Sequence, residues 1–187
     1  MKSNLSIAAR ALAASVALCA VLTASRPARA GATADLDFSL ATHVGQETLI
    51  FGGDARVGWR FNAGPVWIQP EAGGGYMVVP CCLADRGTQI HIARVLAGVR
   101  LGPTDRIGVV VEPSLFGHAG YAWLASDMHG PTFDVGVALD VRLVRLFRFG
   151  VQGGYNVAMI PPSYLSEVQS PYAVQWMSFG VHAGVSF

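Results

Sequence analysis

Past residue 30 this chain contains no lysine. Four of its 13 Lys and Arg (Lys2, Arg10, Arg26, Arg29) lie before that point, which leaves nine arginines against 12 Asp and Glu and a net charge of −3. That balance provides no basic patch of the kind nucleic acid requires. Long apolar runs are missing from the same stretch. Although 52% of the chain is apolar, residues 31–187 hold no run long enough for a membrane-spanning helix. They also lack the 3.6-residue period of an amphipathic helix. Cysteine is scarce: Cys19, then only the adjacent pair Cys81 and Cys82. No metal-ligand spacing, nucleophile elbow or phosphate loop is present. High apolar content without a spanning helix leaves two solutions, a large soluble core or a barrel that faces lipid.

Residues 1–30 read as a cleaved signal peptide. Lys2 and Arg10 give a positive start, Ala11 to Ala24 is an apolar run too short to span, and Ala28-Arg29-Ala30 is a small-x-small cleavage site. The mature chain is expected to begin at Gly31. Leu18 is not small, which excludes lipidation at Cys19. Beyond a signal peptide the compartment is oxidising. Cys81 and Cys82 are expected to be two loop thiols or a non-essential bridge.

What the mature chain does have is an apolar period of two. In the last dozen residues Met177, Phe179, Val181, Ala183, Val185 and Phe187 alternate with Ser178, Gly180, His182, Gly184 and Ser186. Side chains of a strand point alternately to opposite faces, so this strand has one apolar and one polar face. The pattern recurs upstream. Strands are predicted at about 35–44, 54–61, 66–75, 94–101, 107–115, 133–142, 147–155 and 176–187. Between them lie a tight turn at Asn62-Ala63-Gly64, a turn at 102–106 and another near 144–146. Longer loops are expected at 45–53, 77–88, 122–131 and 159–171, all at one end. Eight strands of about ten residues with short and long connections alternating make an all-β, eight-stranded antiparallel up-and-down transmembrane β-barrel. A soluble lipocalin-like barrel would need the reverse alternation, apolar inside and polar outside.

There is a weak internal repeat. Three strands end in Gly-Tyr (Gly75-Tyr76, Gly120-Tyr121, Gly154-Tyr155), and three others carry an arginine near the opposite end (Arg60, Arg100, Arg142). The tyrosines with Trp123, Phe133, Tyr172 and Trp176 are expected to form one aromatic girdle, and Phe38, Trp59, Phe61, Phe147, Phe149 and Phe187 the other.

The polar parity of the strands collects charge. Arg56, Glu71, Arg94, Arg100, Glu112, Asp140, Arg142 and Arg148 are expected to face the lumen as an alternating-charge belt. Counting from the turns puts Arg56 near Glu71, Arg94 near both Glu71 and Glu112, and Asp140 opposite Glu112. A buried charge must be paired or solvated, so the belt is expected to plug the barrel. A belt that switches partners would instead gate a narrow channel.

The closing strand resembles the C-terminal strand of bacterial outer-membrane barrels, and the whole of 31–187 resembles the small eight-stranded outer-membrane protein family. Gln69-Pro70-Glu71-Ala72-Gly73-Gly74-Gly75-Tyr76 and Val111-Glu112-Pro113 through Gly120-Tyr121 are similar to its upward strands. The resemblance implies a bacterial outer-membrane location, contact with outer-membrane lipid and lipopolysaccharide, and an assembly signal at Phe179, Val181, Val185 and Phe187 read by the barrel-assembly machinery. It implies a monomer, no cofactor or metal, and a structural or interaction role through the outer loops. No domain is expected after Phe187. Some barrels of this type remodel lipid A with a His-containing site; His118 with Ser126 and Asp127 is the one trio here that invites that comparison. Triads are recognised by geometry, so the non-enzymatic reading is preferred.

Overall fold

The computed structural model describes residues 31–45, 48–80, 90–104, 111–124, 128–142, 146–161 and 172–187. The signal-peptide residues 1–30, Cys81, Cys82, Ser126 and Asp127 lie outside them. Eight strands follow in order: β1 (Gly31–His43), β2 (Leu49–Ala63), β3 (Val66–Val79), β4 (Ile90–Pro103), β5 (Val111–Leu124), β6 (His129–Arg142), β7 (Phe147–Ile160) and β8 (Tyr172–Ser186). Each pairs antiparallel with its sequence neighbour, and β1 pairs with β8 to close the barrel. Closure leaves no strand edge with unpaired backbone groups, a requirement of any sheet that crosses lipid.

The strands are 13 to 15 residues long, longer than the period-two count suggested. Their added residues lie mostly at the end remote from the termini, here called the upper end. β3 runs on through Met77 to Val79, and β4 begins at Ile90. The upper connections shrink to 44–48, 80–89, 125–128 and 161–171. At the lower end, 64–65 and 143–146 are short but 104–110 is longer than two of the upper ones. The expected split into short turns and long loops is therefore only partly present. The β2–β3 turn depends on Gly64, whose φ of 69° lies in the left-handed region that suits glycine.

Outward positions along the middle of every strand are apolar, with Leu36, Val57, Val95, Leu115, Val135, Val151 and Phe179 all well exposed. Two aromatic placements differ from expectation. Trp176 is fully buried on the inward face, because position 176 shares parity with Ser178 and His182. Phe38 pairs with Gly53 and Val181 in mid-wall and belongs to no girdle.

Candidate functional site

The interior has two storeys. The lower and middle lumen is charged. Among the described residues, every carboxylate (Asp35, Asp37, Asp54, Glu71, Glu112, Asp134, Asp140) and every arginine (Arg56, Arg60, Arg94, Arg100, Arg142, Arg148) occupies an inward strand position. His118 and His182 join them, both buried. The upper lumen is apolar. Ala41, Ile50, Met77, Ile92, Ala122, Leu124, Ile160 and Trp176 pack into one buried cluster drawn from every strand but β6. An eight-stranded barrel has an interior that side chains can fill, and here an apolar plug fills its upper end.

The charged storey is built by one recurring arrangement. On three adjacent strands, two charged side chains stand in register on either side of an inward glycine. Asp54 on β2 pairs with Gly75 on β3, which pairs with Arg94 on β4. With no side chain on the middle strand, Arg94 reaches across it and forks onto Asp54 through Nε (2.9 Å) and Nη2 (2.6 Å). Asp35 on β1, Gly184 on β8 and Arg148 on β7 repeat the plan. Arg148 donates through Nε (2.9 Å) and Nη2 to the two carboxylate oxygens of Asp35.

Two histidines follow the same rule. His182 on β8 meets Asp140 on β6 across Gly150. His118 on β5 meets Glu71 on β3 across Gly98, Nε2 to Oε1 at 2.8 Å, and holds Asp134 with its other nitrogen at 2.5 Å. A Cβ at Gly75 would lie 1.7 Å from Asp54 Oδ1, and one at Gly184 1.9 Å from Asp35 Oδ1. These glycines are the space through which the ion pairs form. Bidentate, charge-assisted bonds of this kind are the strong ones, and they offset the cost of burying the charges.

All eight belt residues expected from sequence occupy inward positions, but several meet other partners. Arg56 lies 3.7 Å from Glu71 as expected and closer to Asp37, at 2.5 Å. Arg94 goes to Asp54, with Asp134 at 3.8 Å, in place of Glu71 and Glu112. The register takes Glu112 too far down the barrel to meet it. Glu112 does stand opposite Asp140 in register. The two carboxylates part company: Glu112 accepts from Arg60 (2.9 Å) and Arg142 (3.4 Å), whereas Asp140 accepts from His182. Arg60 also stacks on the Trp67 ring at 3.8 Å near the lower mouth.

Arg100 stands apart. It is fully buried, and its nearest carboxylate oxygens are Glu71 Oε1 at 3.6 Å and Asp140 Oδ2 at 3.8 Å. These distances are too long for hydrogen bonds, and none of its guanidinium nitrogens has a hydrogen-bond partner within the protein. Its other neighbour is the Phe116 ring at 5.5 Å.

Sequence reading missed Asp35, Asp37, Asp54, Asp134 and His182 as belt members, although the parity of β1, β2 and β6 carries the signal. His118 stands in mid-barrel, level with Asp134 and Gly98, and not at the upper rim. Both its ring nitrogens are bonded to carboxylates. Phe179, Val181 and Phe187 of the closing strand are exposed on the outward face, with Val185 half-buried among them. No group of three or more metal-ligating side chains occurs among the described residues.

No known family's sequence profile matches the chain, and no curated protein matches it in sequence. Solved structures do. The crystal structure of Neisserial surface protein A (NspA) matches over 84% of this chain and 97% of its own, at 11% identity and a TM-score of 0.54. The outer membrane enzyme PagL matches over 81% of this chain and 98% of its own, at 12% identity and a TM-score of 0.54. At such identities the likeness is one of fold. The chain has the fold of the small eight-stranded outer-membrane barrels, and its apolar outward wall is the surface such a fold presents to lipid.

Proposed function

We propose that this chain is an integral protein of the bacterial outer membrane whose lumen is shut, with a structural or interaction role exercised at its upper rim and loops. One observation carries the reading: an apolar cluster from seven of the eight strands lies over a storey of paired charges, both inside the wall. An ion entering from below would meet buried, bonded arginines. An ion entering from above would meet Ile50, Ile92, Leu124 and Trp176, a constriction that water does not favour. On this reading residues 1–30 are removed as a signal peptide, and Phe179, Val181, Val185 and Phe187 form the signal read during assembly. The barrel stands as a monomer among outer-membrane lipid and lipopolysaccharide. A lipid A-remodelling enzyme is disfavoured by the engagement of both His118 nitrogens with carboxylates.

The loose coordination of Arg100 supports a second reading, a narrow channel in which that guanidinium shifts between Glu71 and Asp140. Ion conductance of residues 31–187, refolded into a planar lipid bilayer, separates the two. A stably inserted but silent barrel is expected. Discrete current steps altered by Arg100→Met would make the channel reading correct.

A further inference from the structure

Three of the four upper hairpins carry the same outward pair. Tyr76 on β3 bonds to His91 on β4, Oη to Nδ1 at 2.6 Å; Tyr121 on β5 bonds to His129 on β6; and Tyr155 on β7 bonds to Gln175 on β8 at 2.6 Å. Each partner stands opposite the residue two places above its tyrosine, in the register pairs Val78↔His91, Trp123↔His129 and Val157↔Gln175. The β1–β2 hairpin has Leu40 and Leu49 in these places. The first two pairs are contiguous round the wall. Tyr76, Ala93 and Trp123 stand in register on β3, β4 and β5, so a small residue lies between two large rings. Trp123 in turn packs edge-on against Tyr121, with centroids 5.1 Å apart.

The chemistry of this rim is that of a donor. A tyrosine hydroxyl that donates to Nδ1 leaves the neutral imidazole with its proton on Nε2, and a protonated ring also donates from Nε2. His91 is exposed at the top of the apolar wall, above Ala93 and Val95. No described carboxylate stands on the outward face to repel an anion, because all of them point into the lumen. Beneath the next outward row, Gly74, Val95 and Tyr121, the wall is low. Ala72, Ala97 and Ala119 stand in register across β3, β4 and β5, and a Cβ on the outward Gly117 would find nothing nearer than 3.8 Å.

We propose that Tyr76, His91 and Trp123, flanked by Tyr121 and His129, hold the headgroup of a phosphorylated glycolipid of the outer leaflet. The His91 Nε2–H donates to a phosphate oxygen. The Tyr76 and Trp123 rings border the sugar over Ala93, and an acyl chain lies along the low wall beneath. The proposal rests on the reading of the chain as an outer-membrane barrel.

The test uses the full chain expressed in a Gram-negative host, extracted in detergent from the outer-membrane fraction, and exchanged with diphosphoryl or fully dephosphorylated lipid A. Retained lipid is counted by native mass spectrometry. His91→Leu removes the Nε2–H donor and puts at this position the residue type, Leu49, that the β1–β2 hairpin carries there. The wild type is expected to retain the diphosphoryl lipid preferentially, and His91→Leu to retain about tenfold less, the effect of one charge-assisted hydrogen bond. Equal retention of the two lipids by the wild type, or undiminished retention by His91→Leu, would overturn the proposal. Unchanged heat-modifiable mobility of the variant shows that its barrel is intact. Absence of the wild-type chain from the outer-membrane fraction would instead overturn the localisation on which the proposal rests.

Discussion

Arg148 grips both carboxylate oxygens of Asp35 from two strands away, over the backbone of Gly184. The two residues are 113 positions apart in sequence and meet only because β8 closes the barrel between β7 and β1. The pair is thus also a lock on closure. Arg94 and Asp54 form the same fork over Gly75 on the opposite part of the wall.

Gly184→Ala should break that lock. Its Cβ would fall 1.9 Å from Asp35 Oδ1 and 2.8 Å from Arg148 Nε, so the fork must open and leave two buried charges poorly paired. The expected loss is about 3 kcal/mol or more, the range seen when a buried ion pair is broken. Gly117→Ala, on the open outward face, is expected to change stability by less than about 0.5 kcal/mol. Urea unfolding of the two variants in lipid vesicles makes the comparison, and equal stabilities would refute the role assigned to the inward glycines.

The two partners of the lock should be coupled. Arg148→Met alone strands the Asp35 carboxylate in the lumen and is expected to cost about 3 to 5 kcal/mol. Adding Asp35→Leu removes the stranded charge and should restore most of the loss. A double-mutant cycle on unfolding free energies reads the coupling directly, and strictly additive losses would mean that the fork contributes nothing.

Glu112 serves two cations at the lower mouth. Glu112→Gln removes the charge shared by Arg60 and Arg142, which leaves them facing each other with only an amide between. A lower refolding yield and a drop in thermal midpoint are expected, on the order of 2 kcal/mol for a charged hydrogen-bonding partner lost from a partly buried site. Unchanged yield and midpoint would show that the lower mouth tolerates two unpaired arginines.

The seal should reside in the apolar storey. Trp176→Ala empties the middle of the upper cluster and is expected to destabilise the barrel by about 3 to 5 kcal/mol. Trp176→Phe keeps a ring there and loses no hydrogen bond, since the indole nitrogen has no partner in the protein. In planar bilayers Trp176→Ala is expected to leak small ions and Trp176→Phe to stay silent. A silent Trp176→Ala barrel would shift the seal down to the charged belt.

The sequence by itself determined the strand count, the order of the strands and the face of most residues along the middle of each strand. Parity is a local property: a residue two places along a strand shares a face, and lipid on one side with charge on the other writes that parity plainly in β4, β6 and β8. It also determined that the arginines and carboxylates within the described strands face inward, since the outward run along the middle of each strand is apolar. Tertiary structure decided where strands end and which charges meet. Alternation fades near the upper end because both faces become apolar there, so the sequence reads as loop where β3 carries Met77 and Val79 inward and Val78 outward. Trp176 looked like a girdle residue because the contrast is reversed there, with an apolar ring at the inward position and the polar Gln175 at the outward one. The ion pairs were illegible because a guanidinium reaches past the adjacent strand. Which carboxylate it finds depends on the closure register and on where a glycine leaves the wall low, and neither is written in the spacing along any single strand.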